Sequence, residues 1–329
     1  MSAALLVAVL REPQRCETLS TTQWSALVCV ARAERLLASL ALQLKGYAIP
    51  ADVTLLLDAA IADAEIGRAQ ALWEAEMARR ALAPLGVPVV LLKGTAFVAA
   101  GLDAGRGRMI GDLDILVPRE RLGDVEAALL AAGWDWVKPD PYDDAYYRHW
   151  MHELPPLIHR DRDRMIDVHH TILPLTARPT PDAKGLIDAS VALENGLRFL
   201  SPEDMIVHAA AHLLADGDLS GGLRNLWDID RLLREFDSAG FAERLRDRAR
   251  HHALLPPLER ALRLRGHLFA DHEALRTGDW CFVARLLARD GWGRPTRPLL
   301  RLAFYLRSHW LRMPPLMLAR HLWTKWRKG

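Results

Sequence analysis

The apolar run Leu91-Leu92-Lys93-Gly94-Thr95 and the stretch Arg106-Gly107-Arg108-Met109-Ile110-Gly111-Asp112-Leu113-Asp114-Ile115-Leu116-Val117 decide how this chain folds. The first reads as a buried strand running into a turn. Glycine at position 94 lets backbone N–H groups approach an anion closely, a helix start there favours negative charge, and Thr95 adds a hydroxyl donor. In the second, Asp112 and Asp114 are two apart on a strand, so both project from one face while Leu113 points into the core. Two carboxylates that close repel each other, and the arrangement is favourable when a divalent cation or a buried arginine lies between them.

Around these stretches, short β-rich runs at Val87–Leu92, Leu113–Val117, Trp134–Val137 and Met165–His169 are separated by Gly/Pro turns and by a helical stretch, Arg119–Ala132. Upstream, from Thr21 to Leu82, apolar residues fall at helical spacing (Leu36, Leu40, Leu44, then Leu55, Ala59, Ala62, Ile66), which predicts two or three helices. Downstream, Ser201 is a good N-cap, Pro202 suits the first helical position, and Asp204 is placed to bond back to the cap. The expectation is an α+β fold, a small mixed sheet with helices over residues 86–175, flanked by helical regions at 1–85 and 176–290 and a basic amphipathic tail at 291–329.

The chain has 329 residues, more than one ordinary domain of about 100–200 residues needs. It is 50% hydrophobic and 26% charged, which excludes disorder and collagen-like repetition. Its net charge of +2 hides an asymmetry: Gly291 to Gly329 holds nine Lys/Arg and no Asp/Glu, which leaves about −7 on everything before it. The odd, widely spaced Cys16, Cys29 and Cys281 argue against a disulfide framework or a zinc site and suit buried thiols in a reducing, cytoplasmic setting. The start, Met1 to Leu10, lacks a basic leader and meets Arg11, Glu12 and Pro13, unlike a signal peptide. Prolines and glycines break the apolar window from Ala81 to Leu102 before it could cross a bilayer.

A Gly-Thr turn, then an acid–hydrophobic–acid strand, then a third acid on a later strand resembles the nucleotidyltransferase superfamily that includes DNA polymerase beta. Thr95 stands where Ser is commoner in that pattern. The third acid would be Asp167 in Met165-Ile166-Asp167-Val168-His169, preferred over Asp161 or Asp163. More narrowly, Leu-Leu-Lys-Gly, Arg108 four before Asp112, Ala132-Gly133-Trp134, Asp167-Val-His169 and Leu200-Ser-Pro-Glu-Asp204 resemble an uncharacterised bacterial nucleotidyltransferase family over roughly residues 25 to 235. The resemblance implies attack by an acceptor oxygen on the α-phosphate of a nucleoside triphosphate, with pyrophosphate leaving and Mg²⁺ (or Mn²⁺) ions held by Asp112, Asp114 and Asp167. Asp167 would also serve the nucleophile's proton. Lys93, Gly94, Thr95 and Arg108 would hold the phosphates, with Arg106 a substitute for Arg108. It carries no acceptor: a sugar phosphate or polysaccharide precursor, a peptide and a protein side chain all stand. An inactive nucleotide-binding protein and an RNA 3′-end transferase are the alternatives; the acidic body disfavours nucleic acid.

His208 and His212 lie four apart on a helix but lack a third zinc ligand, so they read as hydrogen-bonded histidines facing a groove. His169 or His170 is a candidate substrate contact beside Asp167, the other serving to orient its neighbours. Asp228 and Asp230 read as helix-surface acids paired with Arg224, Arg231 or Arg234, with Asp228 also a candidate substrate contact. In the tail, Leu299, Leu302, Leu306 and Trp310 form an amphipathic helix, and past Pro314-Pro315 a second would group Leu318, Leu322 and Trp326 among Arg320, Lys325, Arg327 and Lys328. That pattern suits plain packing with solvated arginines, peripheral contact of 298–328 with an anionic membrane face, or a phosphate-rich partner.

Overall fold

The computed structural model describes residues 3–137, 141–270 and 274–313. At the N-terminal end, α1 (Ala4–Arg11) buries Leu6, Val9 and Leu10. A capping box opens α2 (Thr21–Ala33): Gln23 N–H donates to Ser20 Oγ at 3.3 Å, and Ser20 N–H donates to Gln23 Oε1 at 2.9 Å. Then come α3 (Leu37–Gln43) and the 32-residue α4 (Ala51–Leu82). The stripe expected to pack on α4 is turned to solvent instead, Leu55 being 73% and Ile66 58% exposed. The buried face is Leu57, Ala60, Ala64, Ala71, Ala75, Ala78 and Leu82, whose small side chains bring the helix close to the sheet and its covering helices.

The central part runs β1 (Val90–Leu91), α5 (Lys93–Ala99), β2 (Leu113–Leu116), α6 (Leu122–Ala131), β3 (Trp134–Trp136), α7 (Pro141–Trp150), β4 (Leu157–His159), β5 (Met165–His169), α8 (Ala183–Asp188), β6 (Val191–Ala192) and β7 (Arg198–Phe199). The strands form one mixed seven-stranded sheet in the order β3-β4-β5-β2-β1-β7-β6. β1 is shorter than the apolar run predicts, because Pro88 has no N–H to give a ladder. The β6–β7 hairpin extends the sheet beyond residue 175, and β4 falls in a stretch where no strand is predicted. In the centre β2 is buried along its whole length and pairs in parallel with β5.

Helices complete the chain: α9 (Pro202–Ala211), α10 (Gly222–Glu235), α11 (Phe241–His251), α12 (Leu255–Phe269), α13 (Asp279–Leu286) and α14 (Pro298–Arg312). Ser201 caps α9 as expected, its Oγ accepting from Asp204 N–H at 3.2 Å. Asp204 does not bond back to the cap, however; its buried carboxylate is taken by Arg248 at 2.5 Å and lies 3.3 Å from His252. The three cysteines are free, but only Cys16 is buried and Cys281 is exposed, which corrects the expectation of buried thiols. Among the described residues no helix is long and apolar enough to cross a membrane. The second tail helix expected after Pro315 lies outside the described residues.

Candidate functional site

The parallel register of β2 and β5 sets Asp114 directly opposite Asp167. Asp112 precedes β2 on the same face as Asp114, and the carboxylate oxygens of Asp112, Asp114 and Asp167 lie within 4.8 Å of one another. Leu113, Ile115, Ile166 and Val168 anchor the two strands from the opposite face, each nearly fully buried. Asp161 and Asp163 are exposed in the turn between β4 and β5, away from this group.

Asp114 itself is buried, and burial alone would raise its pKa. The Lys93 ammonium, 2.5 Å from Oδ1, and the His169 ring, 2.9 Å from the same oxygen, reverse that and hold the carboxyl well below the usual range. Lys93 reaches Asp114 from a left-handed backbone conformation, φ 48°, at the first position of α5. A lysine there costs on the order of 1 kcal/mol, and such strain collects at functional turns. Asp167 goes the other way: burial, then the nearby Glu153 and Asp114 carboxylates, push it up to about 7. A three-acid cluster in which one member is driven that high is short of positive charge, and the carboxylate oxygens fit a divalent cation.

Above the acids, Lys93, Arg108, His208, His212, Asn225 and Asp228 line a cleft of about 50 Å³. His208 and His212 thus face a groove, as expected. Burial, the Lys93 charge and His212 keep His208 well below the ordinary histidine range, so it is a neutral ring at pH 7. Arg108 is largely withdrawn from solvent, which lowers its pKa to about 10 and leaves it charged. It pairs with Asp228, which also accepts from Arg224 Nε at 2.9 Å. Four buried polar atoms without a hydrogen-bond partner gather around the site: Thr95 Oγ1, Arg108 Nε, His152 Nδ1 and His169 Nδ1. Groups left this way cost about 1–3 kcal/mol each unless a ligand or water satisfies them. Gly94 is needed here for a reason the sequence does not show: a Cβ at this position would run into Arg108 Nε.

Several expectations change. Asp228 and Asp230 are not surface acids; both are buried in α10, with Asp230 held by Arg231, Arg234 and Arg265 at 2.5–2.9 Å. Arginine partners take the place of the water that each buried carboxylate gives up. Arg106 is exposed, 3.3 Å from Asp103, whereas Arg108 points into the cleft. Of the two histidines, His169 shares the face of Asp167 and bonds Asp114, while His170 follows the end of β5. Glu153, which the sequence reading does not single out, pairs across a bridge with His169, its Oε2 3.4 Å from Nδ1. Nothing in its local sequence, Glu153-Leu154-Pro155-Pro156, marks it; only the strand register does.

Two larger spaces flank the acids. One, about 480 Å³, runs between the α2–α3 turn and α4 and is bounded by Arg32, Arg35, Leu56, Asp63, Met109 and Gly111, the last adjoining Asp112. The other, about 400 Å³, lies under α14 and shares His212 and Asn225 with the cleft.

The acid trio thus stands beside a lysine-bearing glycine turn on a mixed sheet. Residues 20–270 match the family described as uncharacterised nucleotidyltransferase, and the chain belongs to that family. No curated protein matches it. Among solved structures it is similar to the solution structure of the antibiotic-resistance factor ANT(2'')-Ia, at 15% identity and TM-score 0.39, covering 59% of this chain and 96% of that one. A crystal structure of ANT(2'')-Ia in complex with adenylyl-2''-tobramycin gives 15% identity and TM-score 0.38 over 56% and 98%.

Proposed function

We propose that this nucleotidyltransferase moves a nucleoside monophosphate from a nucleoside triphosphate to an acceptor oxygen at Asp112, Asp114 and Asp167, with pyrophosphate as the other product. The observation that carries the reading is the β2–β5 register, which brings Asp167 opposite Asp114 beside Lys93. The three carboxylates would hold Mg²⁺ or Mn²⁺, which when bound offsets charge on the entering and leaving oxygens. Lys93 and Arg108 bind and orient the triphosphate, Arg108 offering paired N–H donors. Thr95 Oγ1 is a donor in want of an acceptor. Asp167, opposite Asp114 on β5, is placed to take the proton that the acceptor hydroxyl loses. His169 holds Asp114 in position, and Asp228 holds Arg108.

The cleft of about 50 Å³ has room for a phosphate, not for two substrates. The acceptor would therefore sit in the cavity of about 400 Å³ against the C-terminal helices, and the nucleoside in the α4 groove. Acceptor classes stay as before: a sugar or polysaccharide precursor, a peptide or a protein. The free thiols suit a cytoplasmic location. In the test, Asp112→Asn and Asp114→Asn are assayed for pyrophosphate release with each NTP in Mg²⁺, with circular dichroism as the fold control. Loss of turnover with retained fold is expected; undiminished turnover in both variants would remove the site.

A further inference from the structure

The helix α14 is packed by one face and bare on the other. Phe304, Ser308 and His309 turn inward, while Leu299 is 81% exposed and Leu302, Leu306 and Trp310 are 53%, 45% and 46% exposed. These four, spaced three, four and four, form a single stripe. Trp292, 71% exposed, stands in the turn that leads to the helix. A monomeric protein in water seldom leaves such a run uncovered.

Charge points to what covers it. From Gly291 on, the chain carries nine Lys/Arg and no Asp/Glu, and Arg294, Arg297 and Arg301 are exposed around the start of the stripe. Arg307 is the exception: it donates to Leu214 O at 2.7 Å and so belongs to the packed side. A second copy docking here would bring the same arginines against their equals, and like charges oppose that pairing. Nucleic acid would answer the arginines but has no use for a leucine stripe. An anionic bilayer answers both, taking leucine and tryptophan at the headgroup boundary and arginine among its phosphates.

We propose that α14 is an interfacial helix that docks this protein on an anionic membrane surface, lying on it without crossing. The inward side of the same helix contributes Tyr305, Ser308 and Arg312 to the cavity of about 400 Å³, so docking carries that cavity to the lipid surface.

The test is cosedimentation of the full chain with vesicles of phosphatidylcholine alone and of phosphatidylcholine mixed with phosphatidylglycerol. Binding only to the anionic vesicles, weakened severalfold by high salt, is expected. Leu302→Glu combined with Leu306→Glu alters exposed positions, so the fold and pyrophosphate release in solution should persist while anionic-vesicle binding falls at least about tenfold. Equal binding to both vesicle types, or binding that the double variant leaves unchanged, overturns the proposal. So does an absence of vesicle binding, whether the double variant then changes oligomeric state on gel filtration, which would make the occupant a second copy, or loses thermal stability, which would make it residues 314–329.

Discussion

Replacing Asp167 by asparagine is expected to stabilise the metal-free protein at pH 8 while removing its activity. Burial and the Glu153 and Asp114 carboxylates push the folded-state pKa of Asp167 to about 7, from the ordinary 3.8. A carboxyl raised in this way binds its proton more tightly when folded than when unfolded, so stability falls as pH rises from the lower value to the higher and is level above it. At 1.36 kcal/mol per unit the ceiling on this penalty is about 4 kcal/mol at pH 8 and about 1.5 kcal/mol at pH 5. Relaxation around a carboxylate that solvent partly reaches lowers both by roughly half, giving Asp167→Asn an advantage of about 2 kcal/mol at pH 8 and under about 1 kcal/mol at pH 5. Urea unfolding with EDTA at the two pH values measures it. Adding Mg²⁺ should close the gap, because wild type gains binding energy that the amide variant does not. An Asp167→Asn protein less stable than wild type at pH 8 in EDTA, or an advantage that fails to shrink toward pH 5, would refute the reasoning.

Glu153→Gln removes a negative neighbour of Asp167 and lowers its pKa in the metal-free protein, so in EDTA the loss of urea-unfolding stability between pH 5 and pH 8 should be smaller than in wild type. Arg108→Ala should raise KM for the triphosphate about tenfold or more with a modest loss of stability, since Asp228 keeps Arg224. Arg224→Ala, by contrast, strips a buried guanidinium from Asp228, Ser39 and the Ala104 carbonyl and should cost about 3 kcal/mol in denaturant unfolding. Gly94→Ala forces Arg108 aside, and steady-state kinetics should show a higher KM for the triphosphate with a melting temperature close to wild type.

The parts of the site built on period-two strands were legible from sequence, because Asp114 and Asp167 each sit between buried apolar residues that fix which face they take, and Asp112 lies two before Asp114. Lys93, Gly94 and Arg108 were legible as types whose chemistry suits phosphate. What sequence does not carry is partnership across distance. Glu153 meets His169 only through a bridge between segments sixteen residues apart, and Asp228 meets Arg108 across 120 positions. The misplaced face of α4 has a related cause: leucine and isoleucine are the stronger apolar signal, yet alanine wins where a helix must lie close to a sheet. Asp230 reads as a surface acid because three arginines that neutralise it cannot be weighed before the fold brings Arg265 to its side.

Asp228 sits between two cations, Arg108 from the loop before β2 and Arg224 from its own helix. A buried carboxylate with a single partner would hold that partner fast, since releasing it strands a charge away from water. With two, one can depart. On the proposed reading Arg108 can turn to an arriving phosphate while Arg224 keeps Asp228 neutralised, and the joint between the sheet and the C-terminal helices loosens as the nucleotide is gripped. Nucleotide occupancy would then be felt at α10, whose Asn225 lines both the cleft and the cavity under α14.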